Sequence, residues 1–268
     1  MPTDDRERPV TILDFDAWKK QGRKISVLTA YDHATARWLD DAGVDCLLVG
    51  DSLGTAVQGC ETTLGVTLDQ MVYHAEMVGR ACRRAFVVAD LPFLAYQASR
   101  PQAIRSAGRI LKETRCQAVK MEGGRRIAAT IRAVVDAEIP VMGHVGLTPQ
   151  SVRRFGGYKV QREADAIRAD AQAVVEAGAF ALVLECVPAA LAETITAEVP
   201  IPTIGIGAGA GCDGQVLVVH DMLGLIQGFR PRFARRYAEI GDAVQQAAAR
   251  FIADVQSGDF PGDSESFH

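Results

Sequence analysis

Residues 118–146 read AVKMEGGRRIAATIRAVVDAEIPVMGHVG. Two short apolar runs, AVKMEGG (118–124) and VMGHVG (141–146), flank a stretch over 125–138 whose apolar residues recur at helical spacing. Each run is too short for a helix and is bounded by Gly or Pro. Its hydrophobicity is continuous rather than alternating, which means burial on both faces and a strand of a parallel sheet. Parallel neighbours need a crossover, and the intervening helix supplies it.

The same unit recurs outward in both directions. Upstream lie SVLTAY (26–31), CLLVGDS (46–52) and FVVADLP (86–92); downstream lie ALVLECV (181–187), PTIGIGAG (202–209) and QVLVVHD (215–221). Helical patterns cover 32–42, 67–83, 100–115, 163–178 and 188–198. Asp32 is placed to cap the first of these, and Thr67 with Gln70 forms a capping-box pattern at the second. Gly178 stands where a helix ends in the left-handed conformation. A further helical pattern over 232–256 is polar-rich and is expected to wrap the outside, as a helix is expected before the first strand. Eight strands alternating with helices predict an α/β fold, a closed (β/α)8 TIM barrel in a single domain over 1–268 with a flexible tail at PGDSESFH. The link between the seventh and eighth strands is short for a barrel, and an open doubly wound sheet is the alternative.

Composition narrows the function. The chain has 268 residues, 48% of them apolar and 23% charged, which excludes disorder. Its 33 acidic against 29 basic residues leave a net charge of −4, and no basic footprint for nucleic acid exists. The N-terminal MPTDDRERPV has no apolar core of a signal peptide. The most apolar window, 199–212, is broken by Pro200, Pro202 and a row of glycines, so no membrane span is expected. The six cysteines show no metal or redox spacing and read as reduced thiols. A cytoplasmic protein is the expectation.

Polar residues collect where the apolar runs end. Gly50-Asp51-Ser52 closes the second, Asp90 the third, Lys120 and Glu122 the fourth, His144 lies in the fifth, and Glu185 closes the sixth. In a barrel these ends surround one mouth, the face that carries barrel active sites. Carboxylates brought together there repel unless a cation or protons intervene. Hard oxygen ligands on rigid strands suit Mg²⁺. Lys120 and Glu122, two residues apart, point to the same side. Local roles compete with this reading: Asp51 and Ser52 as helix caps, Asp90 in an Asx turn, Lys120 with Glu122 as a structural ion pair, His144 as a core histidine.

The segment GIGAGAGCDG (205–214) contains a G-x-G-x-x-G match, GAGCDG (209–214). A dinucleotide site needs a helix after it, and a strand follows instead. Close backbone approach at the mouth and a phosphate site are the other readings, and a nucleotide-binding module is the least favoured function.

Together, TAYD (29–32), VGDSLG (49–54), VQGCETTLGVT (57–67), ADLPF (89–93), KMEGG (120–124), GHVGLTPQS (143–151), GGYKVQ (156–161), LVLECVP (182–188), IGIGAGAGCDGQ (204–215) and HDMLGL (220–225) resemble the ketopantoate hydroxymethyltransferase family over about residues 10–256. The resemblance implies a barrel of the phosphoenolpyruvate/pyruvate-binding superfamily and a homodecamer. It implies transfer of a one-carbon unit from 5,10-methylenetetrahydrofolate to 3-methyl-2-oxobutanoate, giving 2-dehydropantoate. By the same resemblance Asp51 and Asp90 contact Mg²⁺, Glu122 joins the metal site, Ser52 and Lys120 hold the substrate, His144 lies near the new hydroxymethyl group, and Glu185 accepts the proton. The substrate-binding set is thus Asp51, Ser52, Asp90, Lys120 and His144. Gly65 and Arg162-Glu163 depart from the family pattern, outside the acidic cluster. A Mg²⁺-dependent carbon–carbon lyase or mutase of the same superfamily is the nearest rival, although its cysteine loop is missing here.

Overall fold

Residues 8–157, 161–226, 228 and 231–267 are described in this computed structural model; the centre of the GGYKVQ run, 158–160, lies outside them. Eight strands form: β1 (Ile25–Thr29), β2 (Cys46–Val49), β3 (Phe86–Asp90), β4 (Ala118–Glu122), β5 (Val141–Gly146), β6 (Ala181–Glu185), β7 (Thr203–Ile206) and β8 (Gly214–Leu217). All pair in parallel in chain order, and β8 returns to β1, so the barrel is closed and the open-sheet alternative falls.

The expected crossovers are present as Leu68–Ala81, Arg100–Glu113, Ala128–Val135, Ala164–Glu176 and Ala189–Glu198, with His33–Asp41 after β1. Asp32 caps the last of these by accepting from the Thr35 N–H at 2.9 Å. Thr67 and Gln70 form the reciprocal box, and Gly178 is left-handed at φ 93°. Between β7 and β8 no helix intervenes.

The barrel lumen shows why a continuous apolar run still carries information at period two. Cys46 and Leu48, Phe86 and Val88, Ala118, Met142, Ala181 and Val183, Ile204 and Val216 form one core cluster with Ile25 and Val27. These are alternate residues of each strand, so they share its inner face. Helix Ile12–Gln21 closes the end where the strands begin: Phe15 is fully buried and meets Phe86 and Phe180 edge-on, each at 5.3 Å between centroids. An aromatic buried this way stabilises the fold by roughly 1.5–3 kcal/mol through removal from water alone.

The chain divides into two compact units, Met1–Val218 and Val219–His268, where a single barrel domain with an outer helix is expected from the sequence. The first contains the whole barrel. The second carries the short helix Val219–Met222 and the long helix Ile240–Ser257, which occupies part of the 232–256 pattern. QVLVVHD was expected to be extended to 221, but β8 ends at Leu217. Its ladder to β1 ends at Leu28–Leu217 and its ladder to β7 at Gln215, so beyond Leu217 the backbone has no strand to bond and turns helical. At the tail, Asp263–Glu265 forms a turn of 3₁₀ helix. No helix among the described residues is long and apolar enough to cross a membrane. All six cysteines are free, with Cys46, Cys116 and Cys212 buried.

Candidate active site

Following the inner rows toward the strand ends changes the chemistry. Phe86 and Val88 are succeeded by Asp90, Ala118 by Lys120 and Glu122, Met142 by His144, and Ala181 and Val183 by Glu185. The lumen is therefore apolar where the strands begin and ionisable where they end. Register sets the neighbours: Asp90 lies beside Lys120, Glu122 beside His144, and Gly146 beside Glu185.

The contacts follow. Lys120 Nζ lies 2.6 Å from Asp90 Oδ1 and 3.7 Å from Glu122 Oε1. His144 stands between two carboxylates, Nδ1 at 3.4 Å from Glu122 Oε1 and Nε2 at 3.3 Å from Glu185 Oε2. Neither nitrogen makes an aligned hydrogen bond, so these are ion pairs held by charge. Asp51 joins from the turn after β2: its N–H donates to Asp90 Oδ2 at 2.9 Å, and its Oδ2 accepts from Gln150 Nε2 at 2.9 Å. Ser52 Oγ bonds the Tyr31 hydroxyl at 2.8 Å, two residues of the TAYD and VGDS runs meeting across the β1–β2 ends.

Of the local readings, the Lys120–Glu122 ion pair is present at 3.7 Å, whereas the cap, turn and core-histidine readings are not met. Helix Leu53–Ala56 after Asp51 has no side-chain cap, because the Asp51 carboxylate is directed at the cluster. The Asp90 carboxylate bonds groups 39 and 30 positions away in the chain, not its own turn. His144 is no satisfied core histidine. Asp51, Asp90, Lys120, Glu122 and His144 are all buried; the Glu185 side chain, at 15% exposure, is the most open.

Burial and crowding shift the ionisations. Burial, then repulsion from Glu122 and Asp90, pushes the Asp51 carboxyl well above the usual carboxylate range. Burial also raises Asp90, with Lys120 opposing the rise and Glu122 adding to it. Glu122 moves the other way: burial favours its neutral form but is outweighed by His144 and Lys120, so it stays ionised. Burial works against charge on His144 too, yet Glu122 above all holds its pKa up at about 9. Lys120 is kept protonated against its burial by Asp90, Glu122 and Asp51.

With Asp51 and Asp90 ionised, four carboxylates would face two cations, an excess of two negative charges that burial and repulsion resist by raising both carboxyls. One divalent cation cancels that excess, and the oxygen-only donors of Asp51 and Asp90 match a hard ion. Among the described residues, no three His, Cys, Asp or Glu side chains converge as a metal cage. Glu122 is committed elsewhere: its Oε2 accepts from the Gln150 N–H at 3.1 Å and its Oε1 faces His144. The residues present therefore fit an ion that takes one or two carboxylates directly and completes its shell with water and substrate.

Sequence reasoning missed Gln150 and Tyr96. Gln150 lies inside the GHVGLTPQS run, so the run pointed to it, but an amide in a turn has no periodicity to mark it. Tyr96 takes a hydrogen bond from the Glu122 N–H at 3.0 Å.

The glycine segment 205–214 does not open a helix. It is the β7–β8 loop, and Gly214 starts a strand. A Cβ at Gly209, itself left-handed at φ 80°, would lie 2.5 Å from Ala189 Cβ, and one at Gly214 2.5 Å from the Ile25 carbonyl oxygen. Backbone crowding accounts for these glycines, and the dinucleotide reading lacks the helix it needs.

Known proteins resemble this chain over nearly its whole length. The family model described as ketopantoate hydroxymethyltransferase matches residues 9–263. A 3-methyl-2-oxobutanoate hydroxymethyltransferase of Syntrophus aciditrophicus is 52% identical over all of this chain and all of its own. Another, of Prosthecochloris aestuarii, is 54% identical over 96% of each. Among solved structures, a phosphoenolpyruvate phosphomutase of Streptomyces platensis subsp. rosaceus superposes with a TM-score of 0.64 at 15% identity, over 92% of this chain and 88% of that one, a likeness of fold.

Proposed function

This chain belongs to the ketopantoate hydroxymethyltransferase family, and we propose that it transfers a hydroxymethyl group from 5,10-methylenetetrahydrofolate to 3-methyl-2-oxobutanoate. The product is 2-dehydropantoate, on the route to pantothenate. The observation that carries this reading is the buried cluster of Asp51, Asp90, Lys120, Glu122, His144 and Glu185 at one mouth, where four carboxyl groups crowd two basic side chains.

The reaction removes a proton from C3 of the oxo acid and then forms a carbon–carbon bond. Asp51 and Asp90 would hold Mg²⁺, which when bound supplies a Lewis acid at the keto oxygen. Lys120, with Ser52 positioned by Tyr31, binds the anionic end of the oxo acid. Glu185 is the base. It is the carboxylate least enclosed by the cluster, and its Oε2 sits 3.3 Å from His144 Nε2. The His144 imidazolium orients this carboxylate for the C3 proton. Glu122 holds that imidazolium from the opposite side. The negative oxygen that develops on the oxo acid is stabilised by the Lys120 ammonium, a cationic group already in place. Binding the folate at the same mouth makes the second step effectively unimolecular. The family further supports a homodecameric, cytoplasmic enzyme acting on small molecules, without nucleic acid or membrane.

The test is an assay with 3-methyl-2-oxobutanoate, methylenetetrahydrofolate and Mg²⁺, with and without chelator. Alongside it, Glu185→Gln should keep oxo-acid binding and lose exchange of the C3 proton with deuterium by roughly 10²–10⁴-fold. Turnover that ignores chelator removes the metal from the scheme, and unimpaired exchange in the variant reassigns the base.

A further inference from the structure

Gln150 lies in the 3₁₀ turn Pro149–Ser151, is 6% exposed, and reaches four separate parts of the site. Its Nε2 donates to Asp51 Oδ2 and to the Leu91 carbonyl oxygen, both at 2.9 Å. Its Oε1 accepts from the Tyr96 hydroxyl and from Gln97 Nε2, both at 2.9 Å. Its backbone N–H donates to Glu122 Oε2 at 3.1 Å. A glutamine amide has two N–H donors and two acceptor lone pairs; both donors are used, and both lone pairs have a donor group within reach.

The orientation of the amide is forced. A carboxylate and a carbonyl face one end, and neither can donate. At the other end Gln97 presents its NH₂, because its Oε1 already accepts from the Tyr96 N–H at 3.3 Å. The Tyr96 oxygen accepts from the Glu122 N–H at 3.0 Å, and its single proton is shared between two acceptors at 2.9 Å, the Glu122 carbonyl oxygen and Gln150 Oε1. Gln150 therefore ties one oxygen of Asp51 and one oxygen of Glu122 into a single rigid turn. Like charges in a buried site spread apart or protonate unless something fixes them. An amide is suited to this because it donates without adding charge.

We propose that Gln150 is a positioning residue that holds the Asp51 carboxylate, and its spacing from Glu122, in the arrangement that binds the divalent cation. This rests on the assignment of Asp51 and Asp90 to that cation. Partners that orient metal-binding carboxylates typically contribute 10–100-fold to affinity.

The experiment titrates Mg²⁺ calorimetrically into the chelator-treated full-length protein, without substrates. The forms compared are the parent, Gln150→Leu, Tyr96→Phe and Asp51→Asn, with thermal midpoints recorded for each. Gln150→Leu should bind Mg²⁺ 10–100-fold more weakly while still folded at the titration temperature, and Tyr96→Phe several-fold more weakly. A lower midpoint with unchanged Mg²⁺ affinity is the signature of a merely structural role and overturns the inference. Should Gln150→Leu fail to fold, Tyr96→Phe decides, and parental affinity in it overturns the inference. Loss of binding in Asp51→Asn with full binding in Gln150→Leu refutes the role of Gln150 alone. Parental binding in Asp51→Asn refutes the cation assignment itself and takes this inference with it.

Discussion

Replacing Lys120 by Met keeps the aliphatic stem and removes the ammonium. That ammonium lies 2.6 Å from Asp90 Oδ1 and 3.7 Å from Glu122 Oε1, among side chains at most 5% exposed. At an effective dielectric of about 20, unit charges attract by about 6 kcal/mol at the first distance and about 4.5 kcal/mol at the second. Desolvation offsets much of this, and the expected net loss on removing one member of a buried pair is about 3–5 kcal/mol. Asp90 has one escape, which is to take up a proton. Burial already raises its carboxyl, and Lys120 is the main force opposing that rise. The loss should therefore be full at pH 8 and smaller at pH 5, where the stranded carboxyl is neutralised. At about 2–4 °C per kcal/mol for a chain of this size, the thermal midpoint at pH 8 should fall by about 10 °C. The assay is thermal unfolding of parent and variant at both pH values in chelator. A drop under about 3 °C at pH 8, or equal drops at the two pH values, refutes the electrostatic coupling of Lys120 to Asp90.

Asp51→Asn should abolish turnover yet raise the thermal midpoint of the metal-free protein at neutral pH. The folded-state pKa of Asp51 lies above its unfolded value, so the parent loses stability as pH rises above about 4, and the amide has no such loss; a lower midpoint in chelator contradicts this. The pKa of His144, raised from 6.5 to about 9, gives a pH dependence of the same sign in a higher window. Its stabilisation, up to about 3 kcal/mol, is fully present below about pH 6.5 and is lost as pH rises through about 9. Unfolding free energies of parent and His144→Gln in chelator should converge across that window, and parallel curves would falsify the ion-pair geometry. Phe15→Ala should cost about 3–5 kcal/mol in denaturant unfolding, since the ring fills the closed end of the barrel; a cost under 1 kcal/mol means that the helix Ile12–Gln21 does not close it.

The sequence alone settled the number of strands and their succession along the chain, because burial on both faces leaves short apolar runs, whereas closure into a barrel was decided by the structure. It also placed Lys120 and Glu122 on the same side of one strand through the two-residue period, while the structure decided that this side is the lumen. Helix starts at Asp32 and Thr67 were legible for the same reason, as their hydrogen bonds are local. Which carboxylate meets which cation was decided only by the tertiary structure. Those distances depend on the register between strands: Asp90 beside Lys120, Glu122 beside His144. The end of β8 at Leu217 depends on where the β1 ladder stops, and the role of Gln150 on partners up to 99 residues away in the chain. A charge interaction falls off over a few ångströms, and no periodicity within one segment encodes the distance to another.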